Sequence, residues 1–506
     1  MAAPATAPVA APAPGTTITR EESRVIWLLL AAAFVAILNE TTMGVAIPHL
    51  IDDFGITAVA AQWLTTAFML TMAVIIPITG FLLRRFPTRV MFIAAMSLFS
   101  LGTLIAFLAP GFPLLLLARV VQASGTAIMM PLLMTTIMNV VPAHSRGRMM
   151  GRVSIVISLA PAIGPTMAGF VLDTVGWRWI FGIVLPIALV ALAAGAMWIR
   201  NLGETTRVAI DIPSVILSGF GFGGLVYGLS LLGGGGHGGA ETVDSAAADA
   251  TAASLTLAAA LGIGILSLAA FVWRQIRLQR TDDALLDLRV FRSLNFSLSI
   301  TQMAIMSLAF FGAITVLPLY LQRVIGISAL ETGLIVLPGA LAMGLAGPII
   351  GRIYDRFGTR ILLVPGAVIT SAMLWTYTTY TETTPVWFIA VAQTVLSLGL
   401  ALSFTPLFTA SLGSLPRRFY SYGSAIVGTI QQVAGAAGIA LLIGIMSAVT
   451  ATGVSAGLEE APAGAAGTRA AFLVAAVLSL PLLVGAFLIR KPADEIAEDA
   501  PVIATH

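Results

Sequence analysis

Gly80-Phe-Leu-Leu-Arg-Arg-Phe-Pro-Thr-Arg89 returns, 271 residues later, as Gly351-Arg-Ile-Tyr-Asp-Arg-Phe-Gly-Thr-Arg360. The two stretches share Gly, Arg, Phe, Thr and Arg in register. Each is a short basic loop closing one long apolar run and opening the next. A repeat of this kind implies two related halves in parallel orientation, the arrangement of transporters that rock two helix bundles around a central site.

The composition fits that reading. Of the 506 residues, 58% are hydrophobic and only 10% charged, and the mean hydropathy is +0.99. A soluble domain is about 25% charged and about 45–50% apolar, so this chain is a polytopic membrane protein. Cysteine is absent, which excludes disulfides, thiolate metal sites and a cysteine nucleophile. The net charge of +3 does not point to nucleic acid, because the basic residues sit in short loops between apolar runs. Arginine supplies all of them but Lys491. His49, His144, His237 and His506 are scattered, so no metal site is expected. No Gly-x-x-x-x-Gly-Lys-Ser/Thr loop is present, so no nucleotide motor is expected within the chain.

Fourteen runs are long enough for a membrane-spanning helix of about 20 residues: 25–48, 60–83, 90–109, 113–138, 150–172, 178–199, 211–232, 254–273, 295–318, 331–351, 361–380, 386–410, 423–449 and 470–489. The first is too long for a signal-peptide core. With the N-terminus in the cytoplasm, 22 basic residues fall in cytoplasmic segments. Only Arg178, Arg323 and Arg469 fall outside, and Arg119 lies within a helix. That asymmetry obeys the positive-inside rule and puts both termini in the cytoplasm. The expected organisation is a disordered tail (1–22), a six-helix bundle (23–200), two inserted helices with a cytoplasmic linker (201–293), a second six-helix bundle (294–490) and a tail (491–506). The outer loop 233–253, with its Gly233–Gly236 run and His237, should be flexible. The linker 274–293 mixes Leu285, Leu286, Leu288, Val290 and Phe291 with charges. It reads either as an amphipathic helix on the membrane surface or as a charged linker.

Two well-buried ionisable groups stand inside the spans, Glu40 and Arg119. Such groups are costly in a bilayer and face a cavity or a partner. Glu40 lies eight residues before Pro48, about 12 Å from the outer end of its helix, and Arg119 six residues after Pro113, about 9 Å from the end of its own. Similar depth allows a direct or water-bridged pair, which serves either proton coupling or a permanent salt bridge. Around Arg119, Gln122, Thr126 and Met130 share a helical face. Met129, Met134 and Met138 add apolar bulk that repacks easily. This stripe reads as a wall for varied apolar ligands or as core. Gln302, Gln431 and Gln432 could touch substrate or bond neighbouring helices. Asp211 reads as a helix cap, and Glu331 and Asp355 as structural or gating groups at helix starts. Trp63, Trp177, Trp179 and Trp387 read as interface anchors at outer helix ends. In the fifth run, Pro161 and Pro165 remove backbone donors and should kink the helix. Gly164 and Gly169 let a neighbouring helix approach closely. The segment is a pivot or an ordinary kinked span.

These motifs together resemble the major facilitator superfamily. Gly80–Arg89 and Gly351–Arg360 resemble its cytoplasmic signature, Gly-x-x-x-Asp-Arg-x-Gly-Arg/Lys. Arg119–Gly125 resembles its fourth-helix motif and Ala160–Gly169 its fifth-helix antiporter motif. Leu38–Pro48, Trp177–Phe181 and Gln431–Gly435 are similar to fourteen-helix drug:proton antiporters, with Leu38-Asn-Glu-Thr41 closest in look to their lincomycin-resistance branch. The resemblance implies an all-α major-facilitator fold of 6 + 2 + 6 helices in the inner (plasma) membrane. It implies a monomer and not an enzyme, needing no cofactor beyond a proton gradient. Its implied partners are protons, the lipid bilayer and a lipophilic or cationic small molecule. Glu40, with Asn39 and Arg119, would couple protons to export. Pro161, Gly164, Pro165 and Gly169 would form the pivot. Gly80, Arg84, Arg85, Arg89, Gly351, Asp355, Arg356, Gly358 and Arg360 would form the gating loops. Two departures matter: Asn39 stands where the family has Asp, with Glu40 beside it, and Arg84 stands where the first signature has Asp. An exporter or flippase of a lipid or secondary metabolite, or a transport-inactive membrane sensor, are the rival functions.

Overall fold

The computed structural model of the chain describes residues 19–56, 58–201, 211–234 and 246–492. The expected N-terminal tail up to residue 18, residues 235–245 of the outer loop with His237, Arg207 and the C-terminal tail from residue 493 lie outside them. Among the described residues there is no strand, and fourteen α-helices run eighteen residues or more. They are α1 Arg20–Phe54, α2 Ala58–Arg85, α3 Thr88–Leu108, α4 Phe112–Val140, α5 Arg146–Val175, α6 Arg178–Trp198, α7 Ile212–Gly234, α8 Ala246–Leu278, α9 Leu294–Arg323, α10 Ala329–Phe357, α11 Arg360–Tyr377, α12 Val386–Gly413, α13 Tyr420–Ser455 and α14 Glu460–Leu488. Thirteen of these carry a stretch long and apolar enough to cross a membrane, and α5 is not among them. Local signals set the boundaries. Thr19 and Glu22 form a capping box at the start of α1, as do Ser328 and Glu331 at the start of α10. Glycines at positive φ, Gly55 (59°) and Gly358 (83°), end the same two helices.

The packing order repeats with a shift of eight helices. α1 lies against α5 and α6, α2 against α4, and α3 against α4 and α6; α9 lies against α13 and α14, α10 against α12, and α11 against α12 and α14. The crossings between the two groups repeat as well: α5 packs on α10, and α13 on α2. The start of α1 and the end of α14 lie at one end of the helices, the tail end. There Glu21 pairs with Arg200 at 3.0 Å, Asn295 Nδ2 donates to the Arg490 carbonyl at 3.0 Å, and Lys491 Nζ donates to the Asp355 carbonyl at 2.9 Å.

α7 lies against α2 and α13, and α8 packs on α7. Gly224 and Gly264 bring α7 and α8 to backbone contact, since a side-chain carbon at Gly224 would lie 2.9 Å from Gly264 Cα. Their tail-side ends are tied by polar bonds. Arg274 donates to both Asp211 carboxylate oxygens at 2.7 Å, and Gln275 Nε2 donates to Ser214 Oγ at 2.7 Å. The Arg274 guanidinium holds the Asp211 carboxyl below its usual value, helped by Ser214. A carboxylate held low stabilises the fold fully above its unfolded value, about 3.9. That contribution disappears as the pH falls through the lowered value. We therefore predict that Asp211→Asn costs about 1 kcal/mol at neutral pH. The gap between wild-type and variant melting temperatures should close as the buffer is taken below about pH 4. A gap independent of pH would remove this ion pair from the account.

Two expectations need correction. The linker forms no amphipathic helix: α8 runs to Leu278, turns follow, and a short 3₁₀ helix spans Leu288–Arg292. Leu285, Leu286 and Val290 are buried in the main core. The segment has no continuous helical register to lay an apolar face on lipid, and its leucines find protein instead. The second concerns Trp177, which is no interface anchor but is buried. Its Nε1 donates to Asp53 Oδ2 at 2.7 Å, and its ring meets Phe54 and Phe181 edge-on. The indole pins the end of α1 to the start of α6. Trp63, Trp179 and Trp387 are exposed, as surface anchors are.

Candidate functional site

The two charges in the spans face one another across α1 and α4. Arg119, on α4, is 1% exposed. Its Nη1 donates to Gln122 Oε1 at 2.7 Å, its Nε reaches the Leu64 carbonyl of α2 at 3.5 Å, and its guanidinium lies 4.1 Å from the centroid of the Phe68 ring. Gln122 in turn donates to Thr103 Oγ1 of α3 at 2.8 Å. Glu40 on α1 is half-buried, and Arg119 is the charge whose field acts on it. Among the described residues the two form no direct ion pair. The arginine is therefore held by neutral groups and a ring, which leaves the carboxylate free to change its state without unseating its partner. Asn39 is wholly buried, and neither of its side-chain polar atoms has a protein partner. An orphaned amide in hydrocarbon is costly.

Gln122 sits between α3 and α4. A side-chain carbon at Gly102 of α3 would meet its backbone nitrogen at 2.5 Å. It bonds Arg119 on one side and Thr103 on the other. Replacing Gln122 with Ala strips an acceptor from the arginine and a donor from Thr103. We predict a loss of about 1 kcal/mol, read as a lower melting temperature of purified protein. An unchanged melt would show that water replaces the amide.

The other expected lining residues divide. Thr126 is buried and bonds its own helix at the Gln122 carbonyl, 3.1 Å away. Met129, Met134 and Met138 are in the core, whereas Met130 is only half-buried. Gln302 turns to α14 and donates to the Pro481 carbonyl at 3.0 Å, beside Gly485, so it bonds a neighbouring helix. Gln431 is half-buried. Gln432 lies 3.6 Å from Met72 Sδ, where α2, α7, α9 and α13 converge with Met69, Val226 and Phe311 around it.

The Pro161–Gly169 segment of α5 stays helical through Pro161 and Pro165. Gly164 fits against α1: an added carbon would strike Thr41 Oγ1 and come within 3.3 Å of the Leu38 carbonyl. The close approach expected of this segment thus lies within one turn of Glu40. Gly169 meets nothing within 4 Å, so it makes no such approach.

The two repeated loops, expected to gate, meet the opposite group of helices. Gly147 and Gly151 of α5 interlock with Gly347 and Gly351 of α10. An added carbon at Gly147 would lie 2.6 Å from the Gly351 carbonyl, and one at Gly151 would lie 2.8 Å from Pro348 Cα. Asp355 belongs to the last turn of α10, not to a helix start. It caps α5 instead: the Gly147 and Arg148 amides donate to its two oxygens at 2.8 and 2.9 Å, where the helix dipole favours negative charge. The companion crossing uses different chemistry. Gly80 of α2 sits 3.2 Å from the Ser421 carbonyl of α13, measured from an added carbon. Arg84 cannot accept amide protons. It donates to the Tyr422 hydroxyl and lies 5.0 Å from that ring's centroid, and Tyr422 Oη donates to the Ala284 carbonyl of the linker at 3.1 Å. Arg289 clamps the linker by pairing with Asp287 at 2.6 Å and with Asp282. Arg85 and Arg356 lie over the neighbouring Phe86 and Phe357 rings, Arg89 Nη2 donates to the Ala196 carbonyl at 2.6 Å, and Arg360 is exposed at the start of α11. Two hydroxyl pairs, Ser154–Thr405 and Thr135–Ser424, each 2.7 Å, also join the groups. Sequence reasoning missed Tyr422, Gly147, Gly151 and Gly347. The two Gly-x-x-x-Gly spacings were the available signal.

Two cross-packed groups of helices, with a half-buried carboxylate and a buried arginine in the first, make up this architecture. The family model described as Major Facilitator Superfamily matches residues 29–439. The chain belongs to this superfamily. It is 41% identical over 470 residues to the MFS-type transporter YcnB of Bacillus subtilis, covering 93% of this chain and 95% of that one. It is 37% identical over 469 residues to the lincomycin resistance protein LmrB of the same organism, covering 92% and 95%. It is 29% identical over 423 residues to a multidrug resistance protein B homolog of Mycobacterium tuberculosis, covering 83% and 75%. In fold it is similar to the human organic anion transporter MFSD10 at a TM-score of 0.58 and 12% identity, covering 91% of this chain and all of that one. This major facilitator is a multi-pass inner-membrane transporter of the lincomycin-resistance branch, and its relatives are transporters, not enzymes.

Proposed function

We propose that the protein is a proton-coupled antiporter exporting lipophilic or cationic drugs by alternating access, with Glu40 as the proton carrier. The observation that carries this reading is the half-buried Glu40 in the field of Arg119, whose guanidinium is held by Gln122, the Leu64 carbonyl and the Phe68 ring. Asn39 sets an unpartnered amide beside Glu40. The tail end is the cytoplasmic side on the positive-inside count. α5, flanked by α1 and α10, is the fourteenth span, and the repeated packing is that of two six-helix bundles with α7 and α8 inserted. In this state the bundles are closed at the tail end by the α5–α10 and α2–α13 crossings. Met130, Gln431 and Gln432 remain the candidates for touching substrate. Relatives named for lincomycin resistance make lincomycin the first compound to try.

The test is drug-evoked proton movement in proteoliposomes carrying an imposed pH gradient. Lincomycin or another lipophilic cation should accelerate proton leakage only in vesicles holding the protein. Drug uptake that neither responds to the gradient nor moves protons would leave a transporter without this coupling.

A further inference from the structure

A cavity of about 520 Å³ opens at the tail end of α1 and α6, lined by Ser23, Arg24, Trp27, Leu28 and Trp198. It lies away from Glu40 and from both crossings. Its two indoles are more than half exposed, 55% for Trp27 and 58% for Trp198. Arg152 of α5 stands 5.6 Å from the Trp27 ring centroid and adds a second positive charge. The acids beside the cavity are engaged elsewhere. Glu21 pairs with Arg200 at 3.0 Å, and Glu22 closes the capping box on Thr19 at 2.8 Å. Among the described residues Arg24 has no ion pair.

Among the described residues the lining therefore combines an arginine without an ion pair with two broad apolar rings at the ends of two candidate spans. Tryptophan favours the level where a bilayer meets water because its ring is apolar and its N–H is polar. Basic pockets between spanning helices take up lipid head groups. A small water-soluble anion would satisfy Arg24 but leave both indoles bare, and a neutral hydrocarbon would do the reverse. A molecule carrying a phosphate above acyl chains satisfies both.

We propose that this cavity holds one anionic phospholipid of the bilayer, its phosphate on Arg24 and its glycerol and upper acyl chain against Trp27 and Trp198. The site does not depend on the proton-coupling reading or on which face of the membrane the tail end occupies.

The full-length protein, delipidated in detergent, would be titrated with dioleoyl phosphatidylglycerol and the bound lipid counted by native mass spectrometry. Wild type should retain one more lipid than Arg24→Gln, whose binding should weaken about tenfold through loss of a charge-assisted hydrogen bond. Arg24→Lys should recover part of it, and Trp198→Ala should weaken it without changing net charge. Circular dichroism checks that each variant keeps its helix content. The proposal is overturned if wild type and Arg24→Gln retain the lipid equally, or if phosphatidylcholine binds as well as phosphatidylglycerol. It is also overturned if glycerol phosphate at matched concentration displaces the lipid, because the cavity would then be a small-anion site.

Discussion

Glu40→Gln is expected to reduce drug-evoked proton release to the level of protein-free vesicles while leaving a folded transporter. The substitution keeps size and hydrogen-bonding capacity and removes only the ability to carry charge and proton. Folding should survive because Arg119 does not rely on the carboxylate for direct contact. Gln122, the Leu64 carbonyl and the Phe68 ring hold it in place. That separates this pair from a closed salt bridge, where removing one partner costs about 3–5 kcal/mol. The melting temperature should therefore change little while transport driven by the gradient disappears, and Glu40→Asp should retain part of the activity. Proton release at the wild-type rate from Glu40→Gln would sink the assignment. A collapsed fold would instead mark Glu40 as a structural partner.

The second large effect is expected at the α5–α10 crossing. A side chain at Gly151 would occupy the space of the Gly347 carbonyl, and backbone cannot swing aside as a flexible side chain can. Gly151→Leu should therefore disfavour the closed tail end by about 1–3 kcal/mol, the usual range for overpacking. That is a shift of roughly 5- to 150-fold toward states open at that end. The absence of cysteine makes the readout clean. Thr405→Cys would place a reporter where Thr405 is now buried against Ser154, 2.7 Å away. Labelling by a membrane-impermeant maleimide in inside-out vesicles should be slow alone and at least about fivefold faster with Gly151→Leu. Equal rates would mean that this crossing does not control access.

The fold was largely readable because membrane physics leaves strong marks. Long apolar runs and a repeated loop survive in one dimension, and Glu40 and Arg119 stood out by rarity alone. What escaped notice depended on partners distant in sequence. The face Gln122-Thr126-Met130 fits a lumen or a neighbouring helix equally well, and nothing in it foretells the bond from Gln122 to Thr103 of α3. Trp177 reads as a surface anchor until Asp53 is known to accept its proton. Leu285 and Leu286 look the same whether they meet lipid or core. Asp355 had the right residue type for a gate, but its partners are amides of α5, some 207 residues away.

The two crossings, alike in geometry, are fastened by unlike chemistry. One is a carboxylate accepting backbone amides, which holds as long as the acid is ionised. The other is an arginine–phenol contact that also grips the inserted linker. Fasteners of such unlike chemistry need not release together, so this end should part obliquely, one edge leading. A ligand acting on the linker would then bias the Arg84–Tyr422 crossing and leave the Asp355 crossing untouched.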